Sequence, residues 1–91
     1  MTDREKPQSY DEHIDTLRQE IDQLDAAIIA SIRRRTEVSR TIGKLRTEAG
    51  GERIVAEREQ KIHDHYDELG SVGHTVADAV LELGRGPIER E

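Results

Sequence analysis

The chain contains no cysteine, phenylalanine or tryptophan, and only two of its 91 residues are proline. The lack of cysteine excludes a disulfide, a thiolate metal site and a cysteine nucleophile. The scarcity of aromatic residues and of sheet-forming runs predicts an all-α protein. No apolar run reaches membrane-spanning length, and the first ten residues lack the apolar centre of a signal sequence. We therefore expect a cytoplasmic protein that does not contact the membrane.

Charged residues make up 37% of the chain, and the net charge is −6. Such a composition is compatible with disorder, but the regular spacing of the isoleucines, leucines and valines argues against it. The acidic balance disfavours nucleic acid as a partner. The basic residues comprise eleven arginines and three lysines, and arginine binds carboxylates and phosphates through two parallel hydrogen bonds. An exposed surface is often rich in arginine as well, so this indication of an anionic ligand is weak.

Turn and cap signals predict three helices, the first of them very long. Ser9 and Glu12 have the spacing of a capping box, so the first helix begins near residue 10 or 11, and the Gly50–Gly51 pair ends it near residue 48. The second helix is expected from residue 52 or 53 to 69, and the third from 75 to 83. Residues 1–9 are expected to be frayed and residues 84–91 to form a mobile tail of one domain spanning 1–91.

The first predicted helix carries an apolar seam on one face, with steps that alternate between three and four residues. The seam consists of Ile14, Leu17, Ile21, Leu24, Ile28, Ser31, Arg35, Val38, Ile42 and Leu45. At 1.5 Å per residue the helix is about 50 Å long, whereas a compact monomer of this size has a radius of gyration of about 12 Å. Because the chain cannot cover such a seam itself, we expect a homodimer in which two long helices pack along their seams.

Arg35 interrupts this apolar seam, and a guanidinium there is costly unless an anion meets it. Arg46 lies eleven residues later, close to three turns, and so points the same way. Arg58 lies on the apolar face of the second helix, so the three arginines are expected to converge on one cavity. Arg18 lies about 100° away around the helix axis and would reach that cavity only from a partner subunit. Glu59 is either the ion-pair partner of Arg58 or a hydrogen-bond acceptor for a ligand hydroxyl.

Other polar residues give weaker signals. Three arginines off the seam are expected to be solvated, and two histidines of the second helix are expected to be exposed: Arg33, Arg34, Arg40, His63 and His65. No histidine spacing indicates a metal site, and no serine has the partners of a nucleophilic triad. What remains is an arginine-rich pocket for a small polyanion, in which catalysis would work by positioning and electrostatic stabilisation. The unimolecular rearrangement of a dicarboxylate fits that description.

Three stretches of the chain resemble the all-helical chorismate mutases. They are the segment from Ile14 to Asp25, the segment from Arg34 to Arg46 and the segment from Val55 to Glu59. Each match is weak alone, but their order and spacing make the combination specific over residues 14–70. The Gly50–Gly51 turn and the Gly-Arg-Gly ending resemble the short actinobacterial subclass.

The resemblance implies an intertwined homodimer of three-helix chains that converts chorismate to prephenate, on the route to phenylalanine and tyrosine. This [3,3] (Claisen) rearrangement needs no cofactor, metal or covalent intermediate. By position, Arg18 of the partner subunit with Arg35 and Arg58 would hold the two carboxylates of the substrate. Arg46 would stabilise charge on the ether oxygen. Glu59 would accept a hydrogen bond from the ring hydroxyl, assisted by the backbone of Val55.

The sequence departs from the family pattern at two places. Some relatives have an acidic residue where this chain has Val55, and many have a glutamine or glutamate near the end of the last helix that cannot be aligned here. One missing contact at the transition state costs on the order of 3 kcal/mol, about a hundredfold in rate. We therefore expect weak activity from the isolated dimer. The resemblance implies activation by docking onto 3-deoxy-D-arabino-heptulosonate 7-phosphate (DAHP) synthase, which would remodel residues 84–91 and the Gly50–Gly51 turn.

Two other interpretations are compatible with the residues. A dimeric helical adaptor would use its arginines to bind an acidic partner protein and would not turn over chorismate. An isochorismate–pyruvate lyase would have the same fold and would release pyruvate and salicylate instead of forming prephenate.

Overall fold

The computed structural model describes residues 9–52 and 54–86, and these residues form helices, turns and connecting segments without a strand. Helix α1 spans Tyr10–Glu48, α2 spans Ala56–Tyr66, a short 3₁₀ helix spans Asp67–Leu69, and α3 spans Gly73–Arg85. The prediction of an all-α protein with three helices and a very long first helix is confirmed. The chain divides into two compact units, Met1–Ser31 and Ile32–Glu91.

A capping box begins helix α1, as its sequence predicts. The backbone N–H of Glu12 donates to Ser9 Oγ at 3.1 Å, and the backbone N–H of Ser9 donates to Glu12 Oε1 at 3.3 Å. The Ser9 hydroxyl also donates to the same carboxylate oxygen at 3.0 Å. These bonds satisfy backbone donors that the first turn of a helix otherwise leaves unpaired. The start of α1 is therefore fixed by two side chains, while residues 1–8 lie outside the described residues.

The described residues of the first unit are Ser9 and the first part of α1, and none of them is buried. The aliphatic residues of the seam in this unit are between 43% and 54% exposed: Ile14, Leu17, Ile21, Leu24 and Ile28. A seam of this kind belongs to a helix that packs against another surface, since a helix gains most of its stability from burial of its apolar face. The first unit therefore leaves its main packing surface uncovered within one chain.

The second unit contains the hydrophobic core, which lies between α2 and α3. Ile62 of α2 packs against Ala77 and Leu81 of α3, and the half-buried Tyr66 packs on this cluster. Gly73 lies so close to the end of α2 that a Cβ atom would be 1.9 Å from the Tyr66 carbonyl oxygen. The absence of a side chain at this position allows α3 to begin against the backbone of α2.

The end of α1 has the hydrogen bonds of a Schellman motif. Gly51 N–H donates to the Arg46 carbonyl at 2.8 Å, and Gly50 N–H donates to the Thr47 carbonyl at 3.0 Å. Gly50 has a φ of 84°, a conformation that favours glycine. The predicted start of the second helix was wrong by three or four residues, because the β-branched Val55 is extended, with φ −115° and ψ 106°, and α2 begins only after it.

Helix α3 is longer than predicted at both ends. It continues through residues 84 and 85, which the sequence analysis assigned to a mobile tail, and ends at Gly86, where φ is 89°. Gly84 is buried, and a Cβ atom there would lie 2.4 Å from Ser39 Oγ, so this glycine is a packing contact with α1 instead of a helix end. The rest of the predicted tail, residues 87–91, lies outside the described residues. Among the helices of the described part, none combines the length and apolarity needed to cross a membrane.

Candidate active site

A cavity of about 610 Å³ lies in the second unit, within the range of small-molecule sites. Its walls come from the last part of α1, the segment before α2, and helices α2 and α3. Six basic and two acidic side chains line it, a surplus of four positive charges in a chain whose net charge is −6. The charged lining residues are Arg35, Arg40, Lys44, Arg46, Arg58, Arg85, Glu48 and Glu59. The remaining wall includes the aliphatic residues Val38, Ile42, Val55, Ile62 and Leu81.

Five of the six residues predicted for the site line this one cavity. They are Arg35 and Arg46 from α1, Val55 before α2, and Arg58 and Glu59 from the first turns of α2. Arg35, Arg46 and Arg58, which the sequence predicts to converge, therefore all line the same cavity. The sixth residue, Arg18, belongs to the first unit, where it is exposed on α1.

Arg35 is half-buried and donates from Nη1 to the backbone carbonyl of Val80 in α3, at 3.2 Å. This carbonyl supplies the polar partner that a guanidinium on an apolar seam requires, although the sequence analysis expected an anion in this role. One bond uses one of five N–H donors of the guanidinium, so Arg35 retains donors for a ligand.

Arg40 was expected to be solvated, and its side chain is indeed exposed. It also lines the cavity, and its Nη2 donates to the carbonyl of Leu83 at 3.4 Å. Arg40 therefore bonds a carbonyl in the last turn of α3, where positive charge complements the helix dipole.

Glu59 pairs with Arg85, a residue that sequence reasoning missed as part of the site. Arg85 Nε donates to Glu59 Oε2 at 2.5 Å, and Nη2 donates to Oε1 at 3.3 Å. Both side chains are largely buried, with 13% of Arg85 and 19% of Glu59 exposed. Of the two roles left open for Glu59, the ion pair exists, but its partner is Arg85 and not Arg58. The available signal was the Gly84-Arg85-Gly86 tripeptide, whose arginine becomes a cavity residue once α3 extends to it.

Arg46 and Arg58 form no ion pair with another residue of the described part of the chain. Arg46 lies in the last turn of α1, where the Schellman motif fixes its backbone carbonyl. Arg58 lies in the first turn of α2 and is exposed along the same cavity. The cavity thus offers two uncompensated guanidinium groups beside Arg35, which holds only a neutral partner. A ligand with two carboxylates matches this arrangement.

Of the two histidines of α2, one agrees with the prediction and one does not. His63 was expected to be exposed, but only 16% of its side chain is, and its Nε2 lies 2.6 Å from Asp78 Oδ1. This hydrogen bond raises the pKa of His63, while burial opposes the change. The same bond lowers the pKa of Asp78. His65 is exposed as predicted.

The arrangement of the cavity can bind a small dianion in one orientation and surround it with positive charge. A carboxylate, Glu59, is present to accept a hydrogen bond from a neutral donor of the ligand. Such preorganised charges stabilise a transition state in which negative charge develops, without a covalent intermediate.

Comparison with known proteins identifies the family. The sequence profile described as chorismate mutase type II matches residues 17–88, most of the chain. The chain belongs to this family. It is an enzyme family of isomerases, and the resemblance found in the sequence is confirmed.

This chain is similar to curated chorismate mutases over most of their length. The intracellular chorismate mutase of Mycolicibacterium smegmatis is 58% identical over 74 residues, which cover 80% of this chain and 71% of that protein. The intracellular chorismate mutase of Mycobacterium tuberculosis is 55% identical over 73 residues, with coverage of 80% and 70%. The family and these named relatives support chorismate mutase activity for the present chain.

A solved structure has the same fold. It is the chorismate mutase from Corynebacterium glutamicum in a non-covalent complex with DAHP synthase and with a bound transition state analog. The two chains superpose with a TM-score of 0.84 at 40% identity, over 87% of this chain and 96% of that one.

Proposed function

We propose that the cavity binds chorismate and converts it to prephenate by the [3,3] rearrangement. The observation that carries the proposal is the convergence of Arg35, Arg46 and Arg58 on one cavity that also contains Glu59. Chorismate carries two carboxylates, an ether oxygen and a ring hydroxyl, and the cavity offers a complementary group for each. Residues 1–91 would form a single chorismate mutase domain.

Each side chain has a distinct role in this proposal. Arg35 and Arg58 hold the carboxylates and favour the compact chair-like conformer, which brings the bond-forming carbons together. Arg46 faces the ether oxygen and stabilises the negative charge that develops there as the C–O bond breaks. Glu59 accepts a hydrogen bond from the ring hydroxyl, next to the backbone of Val55.

Arg85 positions Glu59 in this proposal. The bidentate ion pair fixes both carboxylate oxygens, so Glu59 does not rotate away into solvent. Because each carboxylate oxygen has more than one lone pair, Glu59 still has acceptor capacity for a ligand hydroxyl.

The active enzyme is proposed to be a homodimer. The half-exposed aliphatic side chains of the first unit form a seam suited to a second copy, and a partner subunit would bring its own Arg18 to the cavity as a further carboxylate ligand. This contact is proposed from the resemblance, since Arg18 belongs to a different unit from the cavity of its own chain.

DAHP synthase is the proposed protein partner, because the structurally similar chorismate mutase from Corynebacterium glutamicum forms a complex with it. We expect low activity of the isolated enzyme and higher activity in the complex, since no acidic residue stands at Val55 and no side chain is assigned to the ether oxygen besides Arg46. The name of the mycobacterial relatives, intracellular chorismate mutase, supports the proposal that this protein is cytoplasmic.

The test is to follow the loss of chorismate by ultraviolet absorbance, with the purified protein alone and with DAHP synthase, and to identify the product. Slow prephenate formation that rises sharply with the synthase supports the reaction and the partner together. An unchanged rate of prephenate formation contradicts activation but not the reaction. Release of pyruvate and salicylate from isochorismate indicates the lyase, and absence of any turnover indicates the adaptor.

A further inference from the structure

A second group of polar side chains lies outside the cavity, where α2 packs on α3. It consists of His63 on α2 and of His74 and Asp78, which are one turn apart on α3. Each residue offers one ligand atom, and these atoms all lie within 4.8 Å of one another. The imidazole rings of His63 and His74 are stacked, with 4.2 Å between their centroids. The mechanism proposed for the cavity uses none of the three.

The carboxylate of Asp78 faces a ring nitrogen of each histidine. His63 Nε2 lies 2.6 Å from Oδ1, and His74 Nε2 lies 3.8 Å from Oδ2. Two ligands of a tetrahedral zinc ion, each about 2.1 Å from the metal, are separated by about 3.4 Å. The two observed separations lie on either side of that value, and one ion can take all three ligands once the stacked ring of the exposed His74 turns so that its nitrogen points at the same place as that of His63.

The exposures of the three side chains suit metal capture. His74 and Asp78 are 65% and 58% exposed, so they are accessible to an ion from solvent. His63 is mostly buried, with 16% of its side chain exposed.

We propose that His63, His74 and Asp78 form a zinc site that joins α2 to α3. Two imidazoles and one carboxylate form a ligand set that zinc accepts, with water in the fourth position, whereas magnesium and calcium prefer oxygen ligands alone. The ion would replace the proton shared by His63 and Asp78 and would draw His74 toward them. The site would hold together the two helices that carry Glu59 and Arg85.

The test uses the full-length protein and zinc chloride alone, without chorismate. Isothermal titration measures the stoichiometry and affinity for Zn²⁺, and cobalt substitution reports the geometry through its visible absorption. We expect one ion per chain, tetrahedral cobalt bands and a thermal unfolding midpoint that rises with Zn²⁺.

The decisive variants are His74→Gln and Asp78→Asn, because both positions are exposed and their loss is not expected to prevent folding. His13→Gln is the matched control, since it removes one exposed histidine from the other unit. We expect each cluster variant to weaken zinc binding by at least about tenfold and to abolish the thermal shift, with no change in the control. Equal zinc affinity of the wild type, the two cluster variants and the control would overturn the proposal and leave the His63–Asp78 hydrogen bond as a tether between helices.

Discussion

The two units of the chain obtain their structure from different interactions. The first unit has a well-formed helix start, built from local hydrogen bonds, but buries no described side chain. The second unit contains the core residues Ile62, Ala77, Val80 and Leu81, and the cavity next to them. Local hydrogen bonds can therefore define where a long helix begins, while the stability of the helix depends on burial of its apolar face against another surface. Most of the proposed site residues lie in the second unit, where helices of the same chain pack on one another.

The largest effect is expected from a charge on the uncovered seam. Leu24→Asp replaces a half-exposed seam leucine of the first unit with a carboxylate, and burying two such unpaired charges in a dimer costs several kcal/mol each. We expect conversion of dimer to monomer in multi-angle light scattering. Gln19→Asp is the matched control, because residue 19 lies off the seam of the same helix. A Leu24→Asp variant that remains fully dimeric would show that the seam is not the dimer interface.

The second-largest effect is expected from a substitution in the cavity that changes neither a core residue nor a seam residue. Arg46→Ala removes a guanidinium that has no ion-pair partner among the described residues, so the fold should persist. We expect kcat/KM for chorismate to fall by about a hundredfold to a thousandfold, or about 3 to 4 kcal/mol, because the lost charge acts on the transition state.

Arg34→Ala is the control for this variant. Arg34 lies on the same helix and is 75% exposed in an ion pair with Glu37, outside the cavity lining. Circular dichroism verifies that both variants are folded. Similar activity of Arg46→Ala and the wild type, in the presence of the synthase, would contradict the role assigned to Arg46.

The sequence predicted the features of this molecule that depend on neighbouring residues or on helical periodicity. The capping box at Ser9, the turn at Gly50 and the convergence of Arg35, Arg46 and Arg58 are of this kind. The ion pair between Glu59 and Arg85 was missed because it joins residues 26 positions apart, and it depends on how far α3 extends. The dimer and the position of Arg18 remain predictions.

His63 shows the same limit of sequence reasoning. Residues two apart on a helix diverge, so His65 was correctly placed in solvent. That argument says nothing about Asp78, which comes from another helix and covers His63.

A third prediction concerns the packing of α3 in the second unit. Gly84→Ala places a Cβ atom 2.4 Å from Ser39 Oγ and 2.8 Å from Ser39 Cβ, so one of the helices must shift. We expect the free energy of unfolding to fall by about 2 kcal/mol, measured by urea denaturation. Gly43→Ala makes the same substitution in α1 with nothing within 4 Å, and should be stabilising by up to about 1 kcal/mol. Equal effects at both positions would contradict this account of Gly84.

The smallest effect is expected at the start of the first unit. Ser9→Ala removes the hydroxyl that accepts the backbone N–H of Glu12. A lost cap costs about 1 kcal/mol, and here it should fray only the first turn. Faster hydrogen exchange at residues 11–13 is the expected result, and Ser9→Thr should retain slow exchange. A change that spreads to α2 would contradict the division into two units.

The bond from Arg35 to the Val80 carbonyl couples ligand affinity to the order of α3. The same guanidinium lines the cavity and holds α3, so a ligand that fixes Arg35 also tightens that helix. Such coupling is reciprocal. If a bound ligand raises the equilibrium constant for the ordering of α3 by some factor, the ordering of α3 raises the affinity for the ligand by the same factor. A protein that binds α3 on its outer surface and orders it would therefore raise the affinity of the cavity for its ligand without contacting that ligand.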